Sequence, residues 1–473
     1  MVPPLVIRTH TAGGDFGRLR AEFELPESFS PDVLAEAEAA AVDPLDSAGG
    51  REDATDLPFV TIDPPGSKDL DQAMLIERTA SGFRVHYAIA DLAAFVPPDG
   101  PIDREARRRG QTLYLPDGNV PLHPPVLSEG AASLLPGEIR AAVLWTIGTD
   151  KRGEPTATRV RRALVRSIEQ FDYDTVQASI DAGTPHPSVE ALPELGRLRR
   201  ELAVRRGAVE LQLPEQEISG DSDGGWALAR RPRNDVDAWN AEISLLTGMC
   251  AARIMIDARV GVLRTLPDPE EEAVNWLRRS ALALEIDWPE HLSVSEMLSK
   301  LDPGQPEAMA LYADTTRLLR GAGYTAFDGN LPELTTHAGI GGAYAHVTAP
   351  IRRLVDRFAT EVCLAVTNGR PVPEWVRTAL AQVPVWMSSS DSLAAKVERA
   401  CLDQVEAWVL AEHIGGEFEA VVLRADGTKA EILVEDPPVI AKCAGENLRD
   451  GGRIMVRLTA VDVEKRRVSF ERA

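Results

Sequence analysis

The stretch PFVTIDPPGSKDLDQAM, residues 58–74, constrains this chain more than any other. PFVTI is an apolar, β-branched run of strand length, and it ends on Asp63 at a loop of Pro64, Pro65, Gly66 and Ser67. Such a loop folds the chain back, and Asp69 and Asp71, two positions apart, project to one side of an extended backbone. Any fold that contains this stretch must bring three carboxylates to the end of a buried strand. It must also answer their repulsion, by raising their pKa values or by supplying a cation. With no His or Cys beside them, hard oxygen ligands of this kind select Mg2+ or Mn2+ over zinc. An acidic turn on the surface has the same D-x5-D-x-D spacing, so the stretch alone leaves both readings open. An EF-hand is excluded, because the alternating acids, the following Gly and the Glu at position twelve are absent.

Around this stretch the pattern is β-rich. FRVHYAIADLAAFV and AAVLWTIGTD join PFVTI as strands separated by Gly and Pro turns, which predicts a mixed sheet. Long helical patterns follow over 234–258, 269–285, 307–320, 350–367 and 391–414, so the middle of the chain reads as α+β. The last sixty or so residues return to short strands with polar turns (GEFEAVVLRAD, KAEILVED, GGRIMVRLTAVD, RRVSFER), the pattern of a small closed barrel of the OB type. Ahead of the strands, SPDVLAEAEAAAV predicts a short N-terminal helical module, possible as a helix-turn-helix. The expected division is a helical module over 1–55, an α+β domain over 56–412 and a barrel over 413–473.

A formal charge of −22 argues at first against a polyanionic partner. The charge is uneven, however: residues 27–56 hold nine acids and the single base Arg51. Basic runs recur at 104–110, 159–166, 196–206 and 350–357, and local potential rather than net charge steers a polyanion into a cleft. Taken singly, each run reads as a solvated helix face. No apolar run approaches the roughly 18 to 20 residues that span a bilayer, and the start lacks a secretory pattern, so a cytoplasmic protein without a membrane partner is expected. Cys250, Cys363, Cys401 and Cys443 lie far apart and read as buried thiols, with no zinc or disulfide framework.

TIDPPGSKDLDQAM, VHYAIADLAAFV, LYLPDGNVPLHPPVLSEGAASLLPGEIRAAV, THAGIGGAYAHVTAPIRRLVD and VEAWVLAE follow in an order and spacing that resembles the RNase II/RNase R (RNB) family of exoribonucleases, over residues 56–412. The terminal barrel is similar to the ribosomal-protein-S1-type RNA-binding domain. The resemblance implies processive 3′ to 5′ hydrolysis of single-stranded RNA with a free 3′ end, to nucleoside 5′-monophosphates, in a deep channel with Mg2+ and no nucleotide cofactor. It implies that RNA threads 3′ end first past the barrel, and a monomer suffices. Carried over, Asp63, Asp69 and Asp71 match three of four catalytic, metal-holding aspartates, and Tyr114 matches the tyrosine that packs at the RNA 3′ end. Base stacking on an aromatic is sequence-tolerant, as degradation requires. Arg352 matches the arginine near the scissile phosphate, where a guanidinium grips phosphate oxygens and stabilises charge. Arg353 follows it as an RNA contact, and Glu242 stands near the family's contacts to the ribose 2′-hydroxyl. His337 and His346 match family histidines and are expected to be structural.

The chain departs from the pattern at several positions. Gln72 occupies the place of the fourth aspartate, where its amide oxygen could still ligate a metal but brings no charge. Leu211 stands where some members place a phenylalanine clamp, and Leu402 where a glutamate is usual. The 62 residues ahead of Asp63 are expected to be too few for the family's two cold-shock barrels, which would leave the channel more open to partly structured RNA. The alternative to an enzyme is an RNA-binding or regulatory protein in which Gln72 has abolished catalysis. A metal phosphatase of small substrates leaves the barrel unexplained.

Overall fold

The computed structural model describes residues 14–42, 50–210, 215–220, 225–231 and 233–473. Strands β1 (Glu52–Asp53), β2 (Phe59–Ile62), β3 (Gln72–Thr79) and β4 (Gly82–Ala90) precede a small hairpin of β5 (Leu113–Leu115) and β6 (Gly118–Val120). Two long strands, β7 (Ile139–Asp150) and β8 (Pro155–Phe171), follow. They form the expected mixed sheet in the order β1-β8-β2-β3-β4-β7, and a further β7–β8 pairing closes it on itself. β1 and β2 run parallel to β8, while β3, β4 and β7 pair antiparallel with their neighbours. Burial on both faces explains the apolar content of these strands: β2 is buried at every position, and Tyr87 and Trp145, both at 0% exposure, share a core with Trp239 and Phe358 from the helices.

Among the described residues, two helices precede the strands, α1 (Gly17–Glu22) and, within the acidic segment, α2 (Pro31–Val42). Phe16 and Leu19 at the start of the chain pack with Val397, Val405 and Val409 of the long helix Val383–Leu410. Val33, Ala37 and Ala40 of α2 instead join a core with Phe59, Leu70 and Leu92. The two helices thus belong to separate cores, which is not the arrangement of a helix-turn-helix unit, where the pair pack on one another.

After α3 (Pro101–Arg109) and α4 (Tyr173–Asp181), the helices α5 (Leu192–Arg205) and α6 (Asp235–Ala258) pack closely. Gly196 of α5 permits this approach: a Cβ there would lie 2.3 Å from the Trp239 ring of α6. Asn234 and Asp237 form a reciprocal capping box that starts α6. Helix Leu354–Thr367 is buried along most of its length beneath the sheet. It begins four residues later than its sequence pattern suggests, because the backbone of Ile351–Arg353 is engaged elsewhere. Helix Val383–Leu410 begins eight residues earlier than expected; Pro384 is tolerated in its first turn and Met387 and Ser390 are buried, so packing overrides the weak helical preference of the serine run.

The basic runs are only partly solvated faces. Residues 159–166 lie on β8, not on a helix. Arg109, Arg199 and Arg357 are buried, at 8%, 1% and 4% exposure, because each meets a partner from elsewhere in the fold: Ser28 O for Arg109, Gly153 O for Arg199, Asp103 for Arg357. A run read singly cannot reveal such partners.

The C-terminal strands Glu417–Asp426, Lys429–Val434, Val439–Ala444, Arg453–Asp462 and Arg467–Arg472 form a closed five-stranded barrel. Its core includes Val422, Ile432 and Phe470, and Leu402 and Leu410 of the long helix pack against it. Leu402 thus serves as an apolar joint to the barrel. All four cysteines are buried free thiols, and no helix among the described residues is long and apolar enough to cross a membrane.

Candidate active site

The acidic loop is fixed by its backbone. At the end of β2 the Asp63 N–H donates to Phe171 O at 3.1 Å, and Ser67 N closes a turn onto Pro64 O at 3.1 Å. Gly66 takes a φ of +81°, which favours glycine. Ser133 clips the return: its Oγ accepts from Leu70 N at 2.9 Å and donates to Lys68 O at 2.6 Å. Leu70 is fully buried in a core, so Asp69 and Asp71 on either side of it are turned the other way.

Asp63, Asp69, Asp71, Gln72, Tyr114, Glu242 and Arg352 all line one cavity of about 730 Å3. Residues scattered over nearly three hundred positions are therefore brought together. Asp71 is 3% exposed; its Oδ1 accepts from Ile351 N at 2.7 Å, and its Oδ2 lies 3.4 Å from Arg352 Nε. Thr112 N donates to Arg352 O at 3.0 Å, and Gln111 bridges to Arg353. These bonds hold 351–353 out of the helix and set Arg352 beside β5. On β5, Leu113 and Leu115 turn inward and Tyr114 outward, 52% exposed, with its hydroxyl donating to Asp69 Oδ2 at 2.6 Å.

Burial drives the electrostatics. It raises the Asp71 carboxyl to about 8 against the opposing pull of Arg352, and raises Asp63 to about 7, again against Arg352 and with Asp69 adding repulsion. Asp63 Oδ2 and Asp71 Oδ2 are shut off from solvent with no hydrogen-bond partner among the described residues. Two shielded carboxylates with unsatisfied oxygens are a donor set suited to a hard cation. Asp69, engaged by Tyr114, does not join them, and no three His, Cys, Asp or Glu side chains among the described residues are gathered into a ready ligand cluster. Gln72 is occupied too, since the buried Tyr87 hydroxyl donates to its Oε1.

Glu242, on α6, lies 3.7 Å from Arg199 of α5, and burial raises its pKa. Arg353 lines a neighbouring cavity of about 330 Å3, but its Nη2 donates to buried Asp356 at 2.8 Å, so the structure commits it to an internal pair. His346 is held by the Tyr324 hydroxyl at 2.8 Å and packs edge-on to Tyr344, which His337 also meets. Neither histidine lines the cavity. Leu211 lies outside the described residues.

Sequence reasoning missed Tyr87, Tyr173, Asn240 and Arg206. Tyr87 sits within VHYAIA, where a strand pattern gives no sign that its hydroxyl reaches Gln72. Tyr173, Asn240 and Arg206 line the cavity. Arg206 belongs to the basic run 196–206, and its three guanidinium nitrogens are shut off from solvent without a hydrogen-bond partner among the described residues. The run itself was the available signal; only the α5–α6 packing turns it inward.

Residues 51–366 match the RNB domain, and residues 416–473 match the RNase II-type exonuclease C-terminal S1 domain. Ribonuclease R of Escherichia coli is 27% identical over 477 residues, which cover 90% of this chain and 58% of that protein. The chain therefore spans a little over half the length of that relative. The apo form of Mycoplasma genitalium RNase R superposes with a TM-score of 0.86 at 20% identity, covering 96% of this chain and 77% of that one. The same protein in complex with double-stranded RNA superposes with a TM-score of 0.84 at 22% identity, covering 96% and 82%. With the RNB match running over most of the chain and the S1 match over its terminal barrel, the chain belongs to the RNB domain family.

Proposed function

We propose that this protein is a processive 3′ to 5′ hydrolytic exoribonuclease that degrades single-stranded RNA to nucleoside 5′-monophosphates with Mg2+ or Mn2+, acting as a monomer. The observation that carries the reading is the Asp71–Arg352 pair on the wall of a cavity that also holds Asp63 and Tyr114. Membership of the RNB family supports it. The RNA complex of the M. genitalium relative supports RNA as the polymer.

The terminal base stacks on the exposed ring of Tyr114, whose hydroxyl is held by Asp69. This fixes the end of the strand without reading its sequence. Arg352 presents its guanidinium to the last phosphodiester and stabilises the charge that grows on the phosphate oxygens. A water oxygen forms a bond to phosphorus and the bond from phosphorus to the upstream 3′-oxygen breaks. That oxygen takes up a proton while the attacking water loses one. The products are an RNA shortened by one residue, with a new 3′-hydroxyl, and a nucleoside 5′-monophosphate. Asp63 and Asp71 are the residues that would hold a divalent cation, which when bound lowers the pKa of a water and neutralises phosphate charge. Glu242 lines the same cavity beside Arg199, and contact of its carboxylate with a ribose hydroxyl would favour RNA over DNA.

A time course on 5′-labelled oligoribonucleotide with Mg2+, beside Asp71→Asn and a DNA strand of the same sequence, tests this. Conversion to a short limit product, absent with the variant and with DNA, is expected. RNA that stays intact but shifts on a native gel would replace the enzyme with an RNA-holding protein. A hairpin with a short 3′ overhang in the same series reads tolerance of structure as the position of the stop.

A further inference from the structure

Gln72 stands where a fourth aspartate is usual, and its neighbours decide what its amide can do. Tyr87 lies at 0% exposure on β4, two residues before Ile89, which faces Gln72 across the β3–β4 ladder. A buried phenol must donate its proton, and the acceptor provided is Gln72 Oε1. With the amide turned the other way, the phenol would face the Nε2 donor and its proton would lose the acceptor that the structure gives it. The amide oxygen is therefore engaged by the protein. Nε2, on the same side chain at the cavity wall, has no acceptor among the described residues.

The local charge agrees with this orientation. Around the cavity, Asp63, Asp69, Asp71, Glu210, Asp237 and Glu242 supply six negative charges when ionised, and Arg200, Arg206, Arg233 and Arg352 supply four positive ones, Arg352 against Asp71. Arg353 and Asp356 cancel as a pair. The remainder is two negative charges, which one divalent cation neutralises. An aspartate at 72 would raise that remainder to three and call for more.

We infer that Gln72 is a hydrogen-bond donor to a phosphate oxygen of the bound RNA and not a metal ligand, that Tyr87 positions it, and that the acidic site takes one divalent cation. The phosphate partner rests on the exoribonuclease reading; the cation count does not.

Mn2+ titration of the full-length protein followed by electron paramagnetic resonance counts tightly bound ions without any turnover. One tight ion is expected in the wild type and in Gln72→Ala, and a second in Gln72→Asp. Two ions in the wild type, with one lost in Gln72→Ala, would overturn the assignment, and the alanine variant keeps the test open if the aspartate variant fails to fold. In EDTA, anisotropy of a short labelled oligoribonucleotide reads the donor role: Gln72→Ala is expected to weaken binding about tenfold, and unchanged affinity refutes donation. Tyr87→Phe should weaken metal-free RNA binding in the wild-type background and add nothing in Gln72→Ala. Equal loss in both backgrounds would make Tyr87 merely structural. Wild-type protein that neither binds nor shortens RNA would sink the exoribonuclease reading, while the ion count would still decide whether Gln72 is a ligand.

Discussion

Asp71→Asn separates the thermodynamic cost of the active-site charge from its use. In the metal-free protein, burial raises the Asp71 carboxyl from 3.8 to about 8. The folded state therefore binds this proton more tightly than the unfolded chain does. The stability so gained is fully present below about pH 4, falls as pH rises, and is gone above about pH 8, with a limiting slope of about 1.4 kcal/mol per pH unit. Asparagine keeps the Ile351 N–H acceptor and carries no charge to bury, so it escapes this loss. Between pH 5 and pH 7.5 the unfolding free energy of Asp71→Asn should accordingly rise relative to wild type by about 3 kcal/mol, the pull of Arg352 being already contained in the raised pKa. Urea unfolding of both proteins in EDTA across that range measures the difference. Saturating Mn2+ should shrink it, because a cation stabilises the ionised carboxylate. A difference that does not change with pH would refute the claim that Asp71 is held as a strained, buried acid awaiting a cation. At the same time turnover should collapse while RNA affinity changes little, as expected for a group used in the transition state rather than in holding the strand.

Other variants test individual placements. Tyr114→Ala should weaken RNA binding by roughly 5- to 150-fold, from about 1–3 kcal/mol of stacking, whereas Tyr114→Phe should keep the stacking and lose only the bond to Asp69; anisotropy with a single-stranded oligomer separates the two. Arg353→Ala should destabilise the protein by about 3–5 kcal/mol in urea unfolding, because it strands the buried Asp356 charge, and a variant that weakened RNA binding at unchanged stability would return Arg353 to the RNA surface. Glu242→Gln should narrow the preference for RNA over an otherwise identical DNA strand, read as the ratio of degradation rates, if the carboxylate meets the 2′-hydroxyl.

The site residues that were legible in the sequence are those whose chemistry is local. PFVTID is apolar up to one position and acidic at the next, so the buried strand and its carboxylate terminus could be read directly. Alternating Leu113, Tyr114 and Leu115 carry the outward tyrosine in the same way. The short terminal strands announce a barrel because closure needs only strand length, alternation and polar turns. Where helices begin was less legible at Ile351–Arg353 and at Pro384, since in the first case the backbone leaves the helix to serve Asp71 and Thr112 and in the second burial outweighs propensity.

By itself, then, the amino-acid order determined the fold class, the terminal barrel and the three aspartates, because periodicity and residue type act over a few neighbouring positions. Only the tertiary structure decided which charges are working groups and which are ties. It tied Arg353 to the buried Asp356, buried Arg199 beside Glu242, turned Asp69 to Tyr114, and gave the Gln72 amide oxygen to Tyr87. The physical reason is that a hydrogen bond or ion pair in a low-dielectric interior depends on a partner and an orientation supplied by a distant segment, and no local pattern carries either.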